Sequence, residues 1–164
     1  MAATATDALG SAQTGATVGF WINPSARAAG YAPVTPGRVL TVGIEAEPDD
    51  EYISVEAAGA TELRIGGASL AAATVAIPTN DWTHVALAFA ADGTLSVYRD
   101  GELAFSAANA VSSGFVSSNA AILLGSDGED GVPAATGVAV DRLSVWPFAM
   151  DQGVAAVACG GRIW

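Results

Sequence analysis

The chain has 164 residues, 51% of them hydrophobic, and a formal net charge of −11 in which every base is an arginine. That length fits one domain with one sizeable core, and the acidic balance excludes nucleic acid as a partner, because phosphate binding needs clustered Lys or Arg. Met1–Gly10 has neither a basic region nor an apolar run, no uncharged apolar stretch reaches membrane-spanning length, and Cys159 stands alone. The expectation is a chain with no signal peptide, membrane span or intrachain disulfide, made in the cytoplasm.

In chain order, residues 1–16 are small and polar and read as an arm or a poorly paired edge. Thr17–Asn23 is the first strand, with Val18, Phe20 and Ile22 on one face, Trp21 on the other, and Pro24 ending it for want of an N–H. A loop punctuated by Gly30, Pro33 and Pro36 leads to a strand over Val39–Ile44, then an acidic turn around Pro48. Tyr52–Ala57 and Glu62–Ile65 form a hairpin turning near Gly59, and Leu70–Ile77 is an alanine-rich strand.

The most legible stretch is Asp81–Phe105. Thr83, Val85, Leu87 and Phe89 alternate with His84, Ala86, Ala88 and Ala90, the period of a pleated strand. Asp92-Gly93 and Asp100-Gly101 supply residues that tolerate positive φ in tight turns, so the stretch is a three-stranded meander. Ser106–Asn119 is a small-residue crossing loop, Ala121–Gly125 a short apolar strand, and Ser126–Gly131 an acidic turn. Gly137–Trp146 is the last long strand, stopped by Pro147, and Asp151 is placed to cap a helix over Gln152–Ala158 that Gly160-Gly161 halts. The fold class expected is all-β, a two-sheet antiparallel jelly-roll sandwich with one short C-terminal helix.

The blocks Val18-Gly19-Phe20-Trp21-Ile22-Asn23-Pro24, Asp81-Trp82-Thr83-His84-Val85-Ala86, Leu95-Ser96-Val97-Tyr98-Arg99-Asp100-Gly101-Glu102, Ile122-Leu123-Leu124-Gly125 and Val140-Asp141-Arg142-Leu143-Ser144-Val145-Trp146 occur in that order. Together they resemble the laminin G-like and pentraxin-like domains of the concanavalin A-like jelly rolls. The resemblance covers residues 17–158, leaving 1–16 as an N-terminal arm and 159–164 as a tail. Such domains carry a longer lead-in before the Trp21 strand, so the first edge strand is expected to be missing or replaced.

The resemblance implies binding or structural roles rather than catalysis. The stretch Glu47-Pro48-Asp49-Asp50-Glu51 superficially resembles the spaced acidic trio of related glycoside hydrolases, but a retaining mechanism needs carboxylates alternating on one strand face about 5–5.5 Å apart, and Pro48 does not suit a central strand. A solvated turn is the simpler reading, and no enzyme is expected. Related domains hold calcium between loops at one rim, and Asp127, Glu129 and Asp130 offer hard oxygen ligands for it, with Asp49 or Asp50 as further candidates, though a plain acidic turn needs no metal.

His84 is the only histidine and reads as framework, Cys159 as an inert buried thiol, and Asp141 as a local hydrogen-bonding residue. Trp21, Trp82 and Trp146 are expected to fill the core. Tyr31 and Tyr52 sit at loop edges and could stack on a sugar, while Ile163 and Trp164 form an apolar terminal pair suited to docking on this domain or a neighbour. A standalone acidic laminin G-like domain looks like a virion component. The leading expectation is therefore a bacteriophage capsid decoration or head protein, with capsid protein or copies of itself as partners. A carbohydrate-binding adhesion module is the alternative and a glycoside hydrolase the least favoured reading.

Overall fold

Strand β7 (Thr83–Ala90) turns Val85, Leu87 and Phe89 into the main core and Ala86 and Ala88 into a second cluster on its other face, as the alternation requires. The computed structural model describes residues 4–5, 15–24, 33–43, 51–113, 115, 121–125 and 131–160. Within them lie β1 (Thr4–Ala5), β2 (Gly15–Asn23), β3 (Gly37–Gly43), β4 (Tyr52–Ala57), β5 (Glu62–Gly67) and β6 (Ala73–Ala76). After β7 come β8 (Leu95–Arg99), β9 (Glu102–Ala107), β10 (Ile122–Leu124), β11 (Ala139–Trp146) and α1 (Gln152–Gly160). A six-stranded antiparallel sheet runs β1-β10-β3-β4-β5-β6 and a five-stranded one β11-β2-β7-β8-β9. Val18, Phe20 and Ile22 meet Leu40, Val42, Ile53, Val55, Leu63 and Ile65 between the two sheets, which makes the molecule a jelly-roll sandwich.

The two turns of the meander form as their sequences demand. Asp100 (φ 50) and Gly101 (φ 83) both take the left-handed region between paired Arg99 and Glu102. A Cβ on Gly101 would lie 2.5 Å from the Cα of Ala156, so the missing side chain also lets α1 rest on this turn. The Asp100 carboxylate accepts the amide of His84 at 2.9 Å, tying the turn back to β7.

Several expectations are corrected. Thr4 and Ala5 pair with Leu123 and Ile122, so the edge strand expected to be missing or replaced is present over these two residues, as the poorly paired edge that is the other reading of residues 1–16. Leu70–Ile77 is strand only over Ala73–Ala76. The Ser106–Asn119 loop is not merely a crossing: Ala110, Val111 and Phe115 are buried in the main core, Phe115 with its ring 5.4 Å from that of Phe89. The tryptophans do not fill the space between the sheets. Trp21 lies on the outer face of the five-stranded sheet with its ring 5.3 Å from the imidazole of His84, Trp146 packs with the outer cluster, and Trp82 is half-buried just before β7. Cys159 is half-buried rather than buried.

That outer face is covered by the chain's own C-terminal segment. The Thr17 hydroxyl donates to the carbonyl of Phe148 (2.8 Å) and accepts the amide of Met150 (2.9 Å), while Tyr98 Oη donates to the carbonyl of Met150 (3.2 Å). Asp151 caps α1 by accepting the amide of Val154 at 2.9 Å, as its position predicts. The sheet residues beneath are small for a reason: a Cβ on Gly19 would stand 2.8 Å from the Trp146 ring. Among the described residues no helix is long and apolar enough to cross a membrane.

Two predictions follow from this cover. Thr17→Val leaves the buried Met150 amide and the part-buried Phe148 carbonyl without their partner in an unchanged shape, and should lower the unfolding free energy by about 1–3 kcal/mol, with Thr17→Ser recovering most of it in urea melts. His84 is 3% exposed, and among the described residues its Nδ1 has no hydrogen-bond partner. Burial therefore holds its pKa below the ordinary 6.5, against an opposing pull from Asp100. On acidification the unfolded chain takes up this proton first, so the contribution is complete above about pH 6.5 and is lost as pH falls below that value. In urea melts the stability advantage of the native chain over His84→Gln should shrink from pH 7.5 to pH 5; an advantage equal at both would contradict a buried neutral imidazole.

Candidate functional site

The outer face of the six-stranded sheet contrasts with the apolar one under α1. Alternation sends Ile53, Val55 and Ala57 of β4 into the core and leaves Tyr52, Ser54 and Glu56 on the other side. Their cross-strand partners are Gly43, Thr41 and Arg38 on β3, and Ser54 and Glu56 meet Gly66 and Arg64 on β5. Arg64 in turn pairs with Thr74 on β6. A row Arg38–Glu56–Arg64–Thr74 thus runs across four strands with alternating charge, at neighbour distances that make opposite charges favourable.

Arg38 is 5% exposed, and a buried cation needs partners. Its Nη1 donates to Thr41 Oγ1 at 2.9 Å, Nη2 lies 3.6 Å from Glu56 Oε1, and the guanidinium sits 5.9 Å from the Tyr52 ring centroid. The bulge between Arg38 and Leu40 places it here: it breaks the period of β3, so that Val39 and Leu40 both reach the core. The bulged stretch also pairs with residues 133–135, the Arg38 amide donating to the Pro133 carbonyl (2.8 Å) and the Arg38 carbonyl accepting the Ala135 amide (2.9 Å). Arg64 is exposed, and among the described residues its guanidinium has no partner. Thr41 and Ser54 are buried like Arg38, so what the row presents to solvent is Arg64, Thr74, the half-buried Glu56 and the half-buried Tyr52.

Of the residues singled out from sequence, Tyr52 stands in this site, half-buried at the start of β4. Tyr31, Asp127, Glu129, Asp130, Ile163 and Trp164 lie outside the described residues, as do Glu47, Asp49 and Asp50. Among the described residues no group of three His, Cys, Asp or Glu side chains is gathered as a metal site. Glu51 is described: its Oε1 accepts the Ser112 amide at 2.9 Å and its Oε2 the Ser112 hydroxyl at 2.5 Å, fastening the 108–113 loop. Asp141 plays the local part expected of it, accepting the amide of Arg142 at 2.8 Å where Arg142 (φ 52) makes the bulge in β11. Sequence reading missed Arg38, Glu56 and Arg64. For Glu56 and Arg64 the signal was available in the alternation of β4 and β5, whose polar positions fall on one face, whereas Arg38 stands at the β3 bulge, where the period breaks.

No curated protein sequence matches the chain. Among solved structures, the native heptameric SAP-like pentraxin from Limulus polyphemus is 18% identical with a TM-score of 0.62, over 88% of this chain and 69% of that one. Trypanosoma rangeli sialidase is 19% identical with a TM-score of 0.65, over 90% of this chain, which spans only 23% of the sialidase. Domain 4 of AbnA, a GH43 extracellular arabinanase from Geobacillus stearothermophilus, in complex with arabinotriose, is 24% identical with a TM-score of 0.60, over 88% of this chain and 66% of that domain. These likenesses establish a shared fold. A laminin G-type family model, described as concanavalin A-like lectin/glucanases superfamily, matches residues 2–153 and so takes in β1 as well as the five sequence blocks. The chain belongs to the concanavalin A-like lectin/glucanase superfamily, as a laminin G-like domain.

Proposed function

We propose that this domain binds a neutral oligosaccharide without transforming it, across the outer face of the six-stranded sheet. The observation that carries this reading is the Arg38–Glu56–Arg64–Thr74 row beside Tyr52. A sugar presents hydroxyls that both donate and accept, together with apolar C–H faces. The row answers with the exposed Arg64 and Thr74 and the half-buried Glu56, which the buried Arg38 holds in place, and Tyr52 with a ring to stack on. The fold likeness to an arabinanase domain in complex with arabinotriose supports the same ligand class.

The net charge of −11 favours a neutral sugar over an acidic one, since an anion approaching this chain meets a repelling field. The absence of turnover in this reading rests on Glu51, whose two oxygens are engaged by Ser112 rather than aimed at a bond to be cleaved.

The test is a glycan array followed by calorimetry with arabinotriose. Tyr52→Ala and Arg64→Ala should each weaken binding about three- to tenfold, one aromatic or polar contact being worth roughly 0.5–1.5 kcal/mol and tenfold being about 1.4 kcal/mol. Val157→Ser on the opposite outer face should leave binding unchanged. A flat array would overturn the reading, and co-purification with particles assembled in the same cell would then favour the capsid-decoration role.

A further inference from the structure

The polar row does not stop at the last strand. Thr74 ends it on β6, the free edge of the six-stranded sheet, and also lines a cleft of about 260 Å³ between that edge and the β8–β9 edge of the five-stranded sheet. The other walls are Val75, Ala76, Arg99, Glu102, Leu103 and Ala104. Arg99 crosses from one sheet to the other, its Nη1 donating to the carbonyl of Ala76 at 3.0 Å. That bond uses one of the five N–H groups of a guanidinium, and among the described residues the others are unengaged. Glu102, paired in register with Arg99 and exposed, likewise has no side-chain partner among the described residues. Leu103 adds an apolar surface that is 48% exposed.

A free guanidinium edge and a free carboxylate on paired residues, next to a hydroxyl and an apolar side chain, form an incomplete hydrogen-bonding set. Two adjacent hydroxyls of one sugar ring complete it: each accepts from Arg99 or donates to Glu102, while the ring's C–H face covers Leu103. The charge-assisted character of both bonds makes them the stronger kind. From β3 to β6 is three strand spacings, roughly 14 Å at about 4.8 Å each, a distance that a short oligosaccharide spans.

We infer that the β6–β9 cleft is a second sugar subsite, which grips one terminal glycosyl unit through adjacent hydroxyls held by Arg99 and Glu102 while the rest of the chain lies along the outer-face row. This rests on the carbohydrate-binding reading above and assigns it a direction and an end. Neither the cleft nor its two charged residues belong to the acidic turn near Asp127.

The experiment follows backbone amide shifts of the isotope-labelled full chain on addition of arabinotriose, with calorimetry on Glu102→Ala and Glu102→Gln. Glu102 is exposed and makes no side-chain bond within the described fold, so both variants should fold. The inference expects Ala76, Leu103 and Ala104 to shift together with Glu56 and Arg64. It also expects Glu102→Ala to lose three- to tenfold in affinity and Glu102→Gln to lose less, because the amide oxygen still accepts. If Glu56 and Arg64 shift while the cleft amides stay still and Glu102→Ala binds as the native chain does, the cleft is not a subsite and the outer-face reading survives. If no amide shifts at either place, both are overturned.

Discussion

The pairing of β2 with β7, Gly15–Ile22 against Thr83–Ala90, is the constraint on which the rest of this structure depends. Both strands are buried along nearly their whole length on both faces, which is unusual for an antiparallel sheet with one side open to water. Their inner faces carry the branched and aromatic side chains that meet the other sheet. Their outer faces carry Thr17, Gly19, Ala86 and Ala88, and their smallness leaves room for the segment from Trp146 to α1. The Thr17 hydroxyl answers two backbone groups of that segment at once, so one side chain on β2 fixes the path of the C-terminal chain.

Covering one outer face leaves the two sides of the sandwich with different chemistry. The five-stranded side is an apolar cluster of Ala86, Ala88, Tyr98, Met150 and Ala155 sealed by a helix. The six-stranded side is a lattice of hydrogen-bonding groups, with Arg38 immobilised by Thr41 and Glu56 and Arg64 left to solvent. A rigid sheet holds such groups in register without spending conformational entropy at the moment of binding. The helix therefore bears on the proposed function only indirectly, because it seals the outer face opposite the one that carries the polar row.

Much of the fold was legible in the sequence because this chain obeys the period-2 rule where it matters. Val85-Ala86-Leu87-Ala88-Phe89 and Val18-Gly19-Phe20-Trp21-Ile22 state their faces outright, and Asp100-Gly101 states its turn. Illegible parts have physical causes. Ala110, Val111 and Phe115 enter the core from a segment without period, where burial is set by the partner surface and not by a local pattern. A two-residue strand such as Thr4–Ala5 carries no periodic signal at all, and is defined only by Ile122 and Leu123 opposite it. Trp21 and Trp146 were misread because bulk was equated with core, whereas the face they occupy is buried by the chain's own terminus. The candidate site was less legible than the fold. Tyr52 was visible as an aromatic at a loop edge, but Arg38, Glu56 and Arg64 are 8 to 26 positions apart and become one row only through sheet register.

The distribution of arginine sharpens what that row can recognise. Six arginines stand against 17 acidic residues; Arg38 and Arg64 lie along the outer face of the six-stranded sheet, and Arg99 reaches its free edge from β8 of the other sheet. Were this a site for an anion, the cations would be expected to dominate their surroundings; instead Glu56 sits between Arg38 and Arg64, and Glu102 beside Arg99. Paired donors and acceptors of near-zero local charge give little attraction at a distance and strong directionality at contact. Hydroxyl groups, which donate and accept in turn, match that alternation, whereas a carboxylate or phosphate would lose to Glu56 and Glu102 much of what it gained from the arginines.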